Sequence, residues 1–559
     1  MKRPGFISAV AGLVLIILWK MIFYISDVDL ALGFAFFILV PLLLDEVVPQ
    51  QAANRAERWL RNVMQSSLPF AGAGAIAVTL PPGGDAGWWA AVWSFYTLLI
   101  AIGGLMRLLS RGFRPVEETL IDLGLLYIAV GGLWLLISSA GWAQYLPYSE
   151  SIVQLTAIHF HYAAFVLPLV TGFFGRYRAE GNRIRKRYFI RPYALLALGV
   201  AIGPILVAVG LNQGPPVETY TVGIYVLVLV WLCLWWFWLS VDFKTWTAMA
   251  LRLSSLILLG TMTLSFLYSL GLMYETNWLN IGEMVRYHGW FNAFGFSILA
   301  VLAWRGVHAP QRHMYGSFPI SQLRAKGYVG SDIVIRMGWA SKHEYTTGLI
   351  PNWRTFKSGQ FNPDELSEGV KDFYLHTDAY SMNASVQWHR GFIRISRLIH
   401  RVTERLGQVN IPSSGNIRMK GELLSISDHK DGRKQVRAWM RRNVQTGEPV
   451  FTALYSYHKK NGATYMNIAL PFPRGVMTGV LKPEADGKGG LLLTSHLRKN
   501  ARGDEGIYFT LGEWTIRTPL REWFHVTEIE KGILRAEHHL TLGRLPFLSI
   551  KYVLRKDGE

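Results

Sequence analysis

Apolar runs of membrane-crossing length recur through the first 310 residues of this chain, and no other feature restricts its fold as strongly. A helix needs about 20 mostly apolar residues to cross the hydrocarbon core, where no water is present to satisfy an open backbone. Ten segments qualify: 5–24, 28–44, 66–81, 87–107, 118–139, 151–175, 191–212, 219–240, 247–272 and 283–305. The second and third are the shortest. Between them, residues 47–64 carry Arg55, Arg58 and Arg61 at helical spacing and read as a surface segment. Lys2 and Arg3 open the first segment as they would a signal peptide. Met21, Ile22, Phe23 and Tyr24 follow it in place of a small-x-small cleavage site, so it reads as a retained helix.

The joints test the count. Lys2 and Arg3 precede the first segment. Arg55, Arg58 and Arg61 follow the second, and Arg107, Arg111 and Arg114 the fourth. Seven Lys/Arg lie between 176 and 191, then Lys244 and Arg252, then Arg305 and Arg312, while the intervening joints carry none. Basic residues on every second joint are the positive-inside pattern for ten spans with both termini cytoplasmic. The sequence therefore predicts a polytopic α-helical membrane bundle of about ten spans over 1–310. A connector over 311–370 and a cytoplasmic domain over 371–559 complete the chain. Basicity concentrates in the second half, where residues 311–559 hold 37 Lys/Arg against 23 Asp/Glu. Cys233 is the only cysteine, which excludes an intramolecular disulfide and any Cys-based zinc or iron–sulfur site.

Ionisable side chains inside a span are costly, so they are candidates for function. One span contains Gln154, His159 and His161; another contains Glu283, Arg286, His288 and Asn292. The topology places all three histidines in the outer half of the bilayer. His159 and His161 lie about 200° apart around a helix and cannot ligate one metal from one face. His288 and Asn292 share a face, as do Glu283 and Arg286. Three readings stay open for this polar cluster: hydrogen bonding between helices, a proton or substrate pathway, and a haem or metal site on His159, His161 or His288. Asp122 is a further candidate, or simply a neighbour of Glu117, Glu118 and the loop arginines.

Some of these residues carry a resemblance. His159-Phe160-His161-Tyr162-Ala163-Ala164-Phe165 lies in one span, and His288-Gly289-x-x-Asn292-Ala293-x-Gly295-Phe296 in a late one. Asp372-Phe373-Tyr374-Leu375-His376-Thr377 lies in the soluble half. With the chain length and the membrane-then-soluble order, these motifs resemble the YndJ family of bacterial membrane proteins. The resemblance implies a multi-pass protein of the bacterial plasma membrane. It implies no activity and transfers no catalytic residue.

The soluble half predicts an α+β domain, mostly antiparallel β. A helix is expected over roughly 384–407, with Phe392, Ile395, Ile399, Val402 and Leu406 on one stripe and Arg390, Arg394, Arg397, Arg401 and Arg405 on another. Beside a bilayer such arginines are candidates for holding anionic headgroups; away from one they are a solvated face. From 416 onward period two takes over. Ile417, Met419, Gly421 and Leu423 form one set, Val436, Ala438 and Met440 a second, and Leu534, Ala536, His538, Leu540 and Leu542 a third. Leu548, Ile550, Tyr552 and Leu554 form the last. Asp431-Gly432, Asn461-Gly462 and Asp486-Gly487 mark turns. Nine or ten antiparallel strands with one long amphipathic helix suit a barrel or a strongly curved sheet, and small barrels often enclose an apolar ligand.

Catalytic signatures are missing. There is no phosphate-binding loop and no nucleophile elbow. His343-Glu344 opens like a zinc-protease motif, but Thr347 occupies the place of its second histidine. Asp27-Val28-Asp29 sits in a joint too short for a glycosyltransferase site. His376, His389, His496, His525 and His539 are scattered, whereas His538 alternates with apolar neighbours and is expected to face the interior. The reading that follows is a non-enzymatic membrane protein whose barrel-like domain binds a lipid-like ligand or a partner. It has membrane lipids around it, no cofactor, and no nucleic acid, since no recognition motif accompanies the basic residues. A transporter or proton-coupled channel on the intramembrane histidines, and a haem- or metal-dependent membrane enzyme, are the alternatives.

Overall fold

The computed structural model describes residues 4–558 apart from 50–54, 114, 181–182, 277, 308, 310–317, 342–345, 413, 497–502 and 513, and only the backbone of residues 180 and 183–191. His343 and Glu344 thus lie outside the described residues, as do Lys2, Arg3, Arg114 and Arg312. The chain divides into two compact units, Met1–Leu108 with Phe113–Arg312, and Leu109–Gly112 with His313–Glu559.

The first unit is helical. Among the described residues, nine helices are long and apolar enough to cross a membrane: Pro4–Ile22, Asp27–Val47, Gly84–Arg111, Val116–Ser139, Glu150–Ala179, Pro192–Gln213, Val217–Asp242, Thr245–Met273 and Ile281–Val307. The expected third span is a correction. Its helix, Ser67–Thr79, has 13 residues, or about 20 Å at 1.5 Å per residue, against a core of about 30 Å. Arg55–Gln65 forms the preceding helix, with only Ser66 between them. Small residues let these helices approach closely, as expected where lipid supplies no hydrophobic drive for association. A β-carbon on Gly33 would fall 2.4 Å from the Trp19 ring, and one on Gly74 would fall 2.8 Å from Phe36. Three spans depart from α geometry: Ala35–Leu39, Tyr162–Val166, Met284–Gly289 and Phe291–Phe296 are π-helical.

The second unit is built on twelve strands: β1 Tyr380–Trp388, β2 Gly415–Ser425, β3 Arg437–Asn443, β4 Pro449–Lys460, β5 Ala463–Phe472, β6 Gly475–Ala485, β7 Leu491–Thr494, β8 Gly506–Leu511, β9 Trp514–Arg517, β10 Leu520–Glu530, β11 Ile533–Leu542 and β12 Leu545–Lys556. Ten of them, all but β8 and β9, close an antiparallel barrel in which each strand pairs with the next and β12 returns to β1. The closing register runs from Tyr380 opposite Lys556 to Trp388 opposite Leu548. The β8–β9 hairpin pairs with the first half of β6, and β7 with its second half. Asn461-Gly462 makes the expected two-residue turn between β4 and β5; φ is +51° and +73°, values glycine and asparagine tolerate best.

Two local features differ from the sequence expectation. Residues 384–388 are strand, and the helix begins only at Ile393 and ends at Leu406. Ala384, Val386 and Trp388 are buried in alternation with exposed Ser385 and Gln387, so period two governs here and the helical period starts after it. Gly407, at φ +64°, terminates the helix. The segment read as a connector also packs closely. Leu323, Val329, Ile333, Val334 and Trp339 lie over Ala438, Met440, Leu454, Ala469 and Val476. That layer covers the outside of β3–β6, so these strands are buried on both faces.

A closed barrel has no edge at the β1–β12 junction. Amide hydrogen exchange of the full chain should therefore be as slow in peptides covering β1 and β12 as in β3 and β4, and fast in β9. Rapid exchange in β1 and β12 would mean that the ring opens there.

Candidate functional site

The helical unit separates the candidate histidines. His161 is fully buried. Its Nε2 accepts from the Trp93 indole at 3.0 Å, its Nδ1 lies 2.8 Å from the Ala157 carbonyl, and Phe36 packs on its edge. Both ring nitrogens are thus occupied. His159 turns away from it, as the 200° offset requires, and its ring stacks 6.5 Å from that of His288. His288 Nδ1 lies 2.9 Å from the Thr261 carbonyl, and the Thr261 hydroxyl donates to Asn292 Oδ1 at 2.9 Å. His159, His288 and Asn292 are therefore brought together around Thr261, and His161 is not part of the group. Glu283 does not pair with Arg286. Its carboxylate accepts from the Asn280 amide while the Asn280 side chain accepts from the Glu283 amide, a capping box that starts the helix. Among the described residues no three His, Cys, Asp or Glu side chains gather as a metal ion would need.

Asp122 belongs to a buried ion network with Glu118 and the joint arginine Arg107, the second of the two readings the sequence left open. Arg107 donates to Asp122 at 2.6 Å and to Glu118 at 2.7 Å, and Arg176 donates to both oxygens of Glu118 at 2.7 and 2.8 Å. These side chains are almost wholly unexposed. These ion pairs offset a desolvation cost of several kcal/mol per ion. The sequence signal was present: Glu118 and Asp122 are four apart on one helical face.

The barrel encloses a cavity of about 450 Å³. Its wall is mostly apolar, with Trp439, Phe451, Leu493, Phe524, Leu540 and Leu554 among the side chains facing in. Phe392, Ile395 and Ile399, from the helix and the turn before it, border the same cavity. This helix rests on Ser396 and Thr403, whose hydroxyls bond to their own helix carbonyls. Its apolar stripe is left largely uncovered: Ile395 is 47% exposed, Leu398 63% and Val402 51%. Arg390, Arg394, Arg397, Arg401 and Arg405 are all exposed, and none has a carboxylate partner among the described residues.

A small polar group interrupts the apolar wall. Arg441 on β3, Glu522 on β10 and His538 on β11 line the cavity with Tyr455 and Tyr552. His538 faces inward, as its alternation with apolar residues indicates. Its Nε2 lies 3.3 Å from Glu522 Oε2, and Phe524 stacks flat against its ring. Gly479 on β6 makes room for Glu522; a β-carbon there would fall 2.2 Å from the carboxylate. Arg441 and Glu522 were not anticipated. The alternation in β3 marked Val436, Ala438 and Met440 as the apolar face. That face is the outer one, under the Leu323–Trp339 layer, so Trp439 and Arg441 take the inner positions. Glu522 was legible as the lone charge among Leu520, Phe524 and Val526 on one face of β10. Burial sets the ionisation here. It lowers the His538 pKa despite the Glu522 hydrogen bond, and it pushes the Tyr552 hydroxyl up to about 12 although Arg441 acts against the shift.

Nine apolar helices followed by a closed antiparallel barrel define a multi-pass membrane protein with a carboxy-terminal β-barrel. A family model described as YndJ-like protein matches residues 30–296. The chain is 31% identical, over 99% of its length and 98% of the relative's, to the membrane protein YndJ of Bacillus subtilis (strain 168), which is described as uncharacterised. The chain belongs to the YndJ family. No solved structure matches it.

The His538 shift has a sign that can be checked. The folded-state pKa lies below the ordinary 6.5, so the unfolded chain takes up the proton first. His538 thus subtracts stability as pH falls below that value and imposes no such penalty above it. In His538→Gln the barrel's melting temperature should fall less between about pH 7 and about pH 5 than in the parent, followed by circular dichroism in the strand band. An equal fall in both proteins would assign the acid sensitivity to other groups.

Proposed function

We propose that the barrel is a non-catalytic binding module for a lipid-like ligand, working at the cytoplasmic leaflet of a bacterial plasma membrane. The observation that carries this reading is the apolar cavity of about 450 Å³, within the range of roughly 300–1,000 Å³ common to ligand sites. The helix beside it supports a bilayer as the source of the ligand. A helix of a soluble domain buries its apolar stripe; here Ile395, Leu398 and Val402 are exposed and flanked by arginines. An apolar stripe bordered by cations is the pattern of an interfacial helix, and each arginine near an anionic surface contributes about 1 kcal/mol. The covalent link to nine apolar helices keeps a bilayer within reach.

The cytoplasmic location is supported by basic residues on every second joint. That parity counts the 13-residue Ser67–Thr79 helix as a crossing. Both termini are then cytoplasmic.

Two experiments test this reading. The full chain, purified and extracted into organic solvent, should release about one amphiphile per protein molecule, identified by mass spectrometry. Ala536→Trp, which fills the cavity, should lower that yield severalfold while slow amide exchange in β3 and β4 shows that the barrel is folded. No bound amphiphile in either protein, or equal amounts in both, ends the idea. For location, Leu398→Cys in a Cys233→Ser background should react with a membrane-impermeant maleimide only after cells are opened. Its fluorophore adduct, in nanodiscs, should shift to the blue with anionic but not zwitterionic lipid. Labelling of intact cells would invert the topology, and a spectrum indifferent to lipid charge would exclude the interfacial helix.

A further inference from the structure

Among the described residues that line the cavity, Arg441 is the one permanent cation. Arg441 is 8% exposed. Its guanidinium lies 4.3 Å from the centre of the Trp439 ring and 4.5 Å from that of Phe451. Its Nε has no hydrogen-bond partner, and no carboxylate pairs with it among the described residues. The carboxylate on the same wall, Glu522, is engaged with His538. Ring faces attract a cation, but two such contacts do not replace the water it has lost. A buried arginine retained without an anion is an incomplete pair.

The surroundings match an anion attached to an apolar chain. The Tyr455 and Tyr552 hydroxyls line the same cavity and stay un-ionised, so they too can donate to an acceptor. Away from this group the wall is apolar. A small inorganic anion would leave that volume empty, and a plain hydrocarbon would leave the guanidinium unpaired. About 450 Å³ lies within the roughly 300–1,000 Å³ range of small-molecule sites, more than a small inorganic anion would fill.

We propose that the cavity takes a single-chain amphiphile with an anionic head, carboxylate or phosphate, and that Arg441 is the counter-ion that holds the head. This rests on the reading of the barrel as a site for a lipid-like ligand. Arg441 is also the specificity-determining residue, because a neutral head of the same chain length leaves it unpaired.

The test uses the full chain in nanodiscs with photoreactive hexadecanoate and photoreactive hexadecanol, the crosslinks being mapped by mass spectrometry. Both probes should mark cavity-wall residues such as Phe451 and Leu540. The acid should bind more tightly by about tenfold to a hundredfold, the range for a hydrogen bond to a charged group. Arg441→Met should bring the acid down to the alcohol's affinity and leave the alcohol unchanged, whereas Arg441→Lys should retain a preference for the acid. Competition by unlabelled hexadecanoate against hexadecyl phosphate decides which anion the head carries. Equal binding of acid and alcohol to the parent protein, or an Arg441→Met variant that still prefers the acid, overturns the assignment of the head and leaves the lipid-like site standing. Absence of cavity crosslinks with either probe overturns the lipid-like site itself.

Discussion

A backbone N–H or C=O shut away from water must find its partner within the protein, and the two units meet this demand in different ways. The first unit satisfies each segment by itself, as helices. The second satisfies each strand through its neighbours, which works throughout only because β12 returns to β1 and leaves the ring without an edge. Closure also creates the interior. The ten-stranded ring is not filled by its own side chains, and the space left over is the cavity.

Buried charge is handled in two ways as well. In the helical unit Arg107 and Arg176 meet Glu118 and Asp122 at hydrogen-bond distance. In the barrel Arg441 has aromatic faces and, among the described residues, no carboxylate partner. Taking an arginine out of water costs several kcal/mol unless a partner compensates. The first arrangement offsets that cost within the chain; the second is the basis of the anionic ligand proposed above. The same reasoning separates the histidines. His161 has both ring nitrogens engaged and acts as a cross-helix connection, while His538 bonds to Glu522 on the cavity wall.

Much of this was legible in the chain. Nine spans followed from runs of apolar residues, and the barrel's strands from period two and from turns such as Asn461-Gly462. The misreadings share a cause. The helix expected from residue 384 begins at Ile393, because both periods fit a few residues equally well and only pairing with β2 and β12 decides between them. The third span is a helix of 13 residues, because hydropathy measures composition and not where the helical ladder is interrupted. The inner face of β3 was not recoverable from its own pattern, since a strand covered on both sides has no solvent face to mark the other as inside.

The sequence by itself determined most of the helices and strands, the order of membrane and barrel units, and the family resemblance. These depend on local periodicity and on the chemistry of neighbouring residues, and both are written along the chain. Tertiary structure decided which side chains meet: His159 with His288 and not His161, Arg107 with Glu118 and Asp122, and Arg441 with the Trp439 and Phe451 rings on a cavity wall. Those outcomes turn on ring closure, strand register and the layer packed over β3–β6, which join residues far apart in the chain. A charge is held or left unpaired by what those distant segments bring to it.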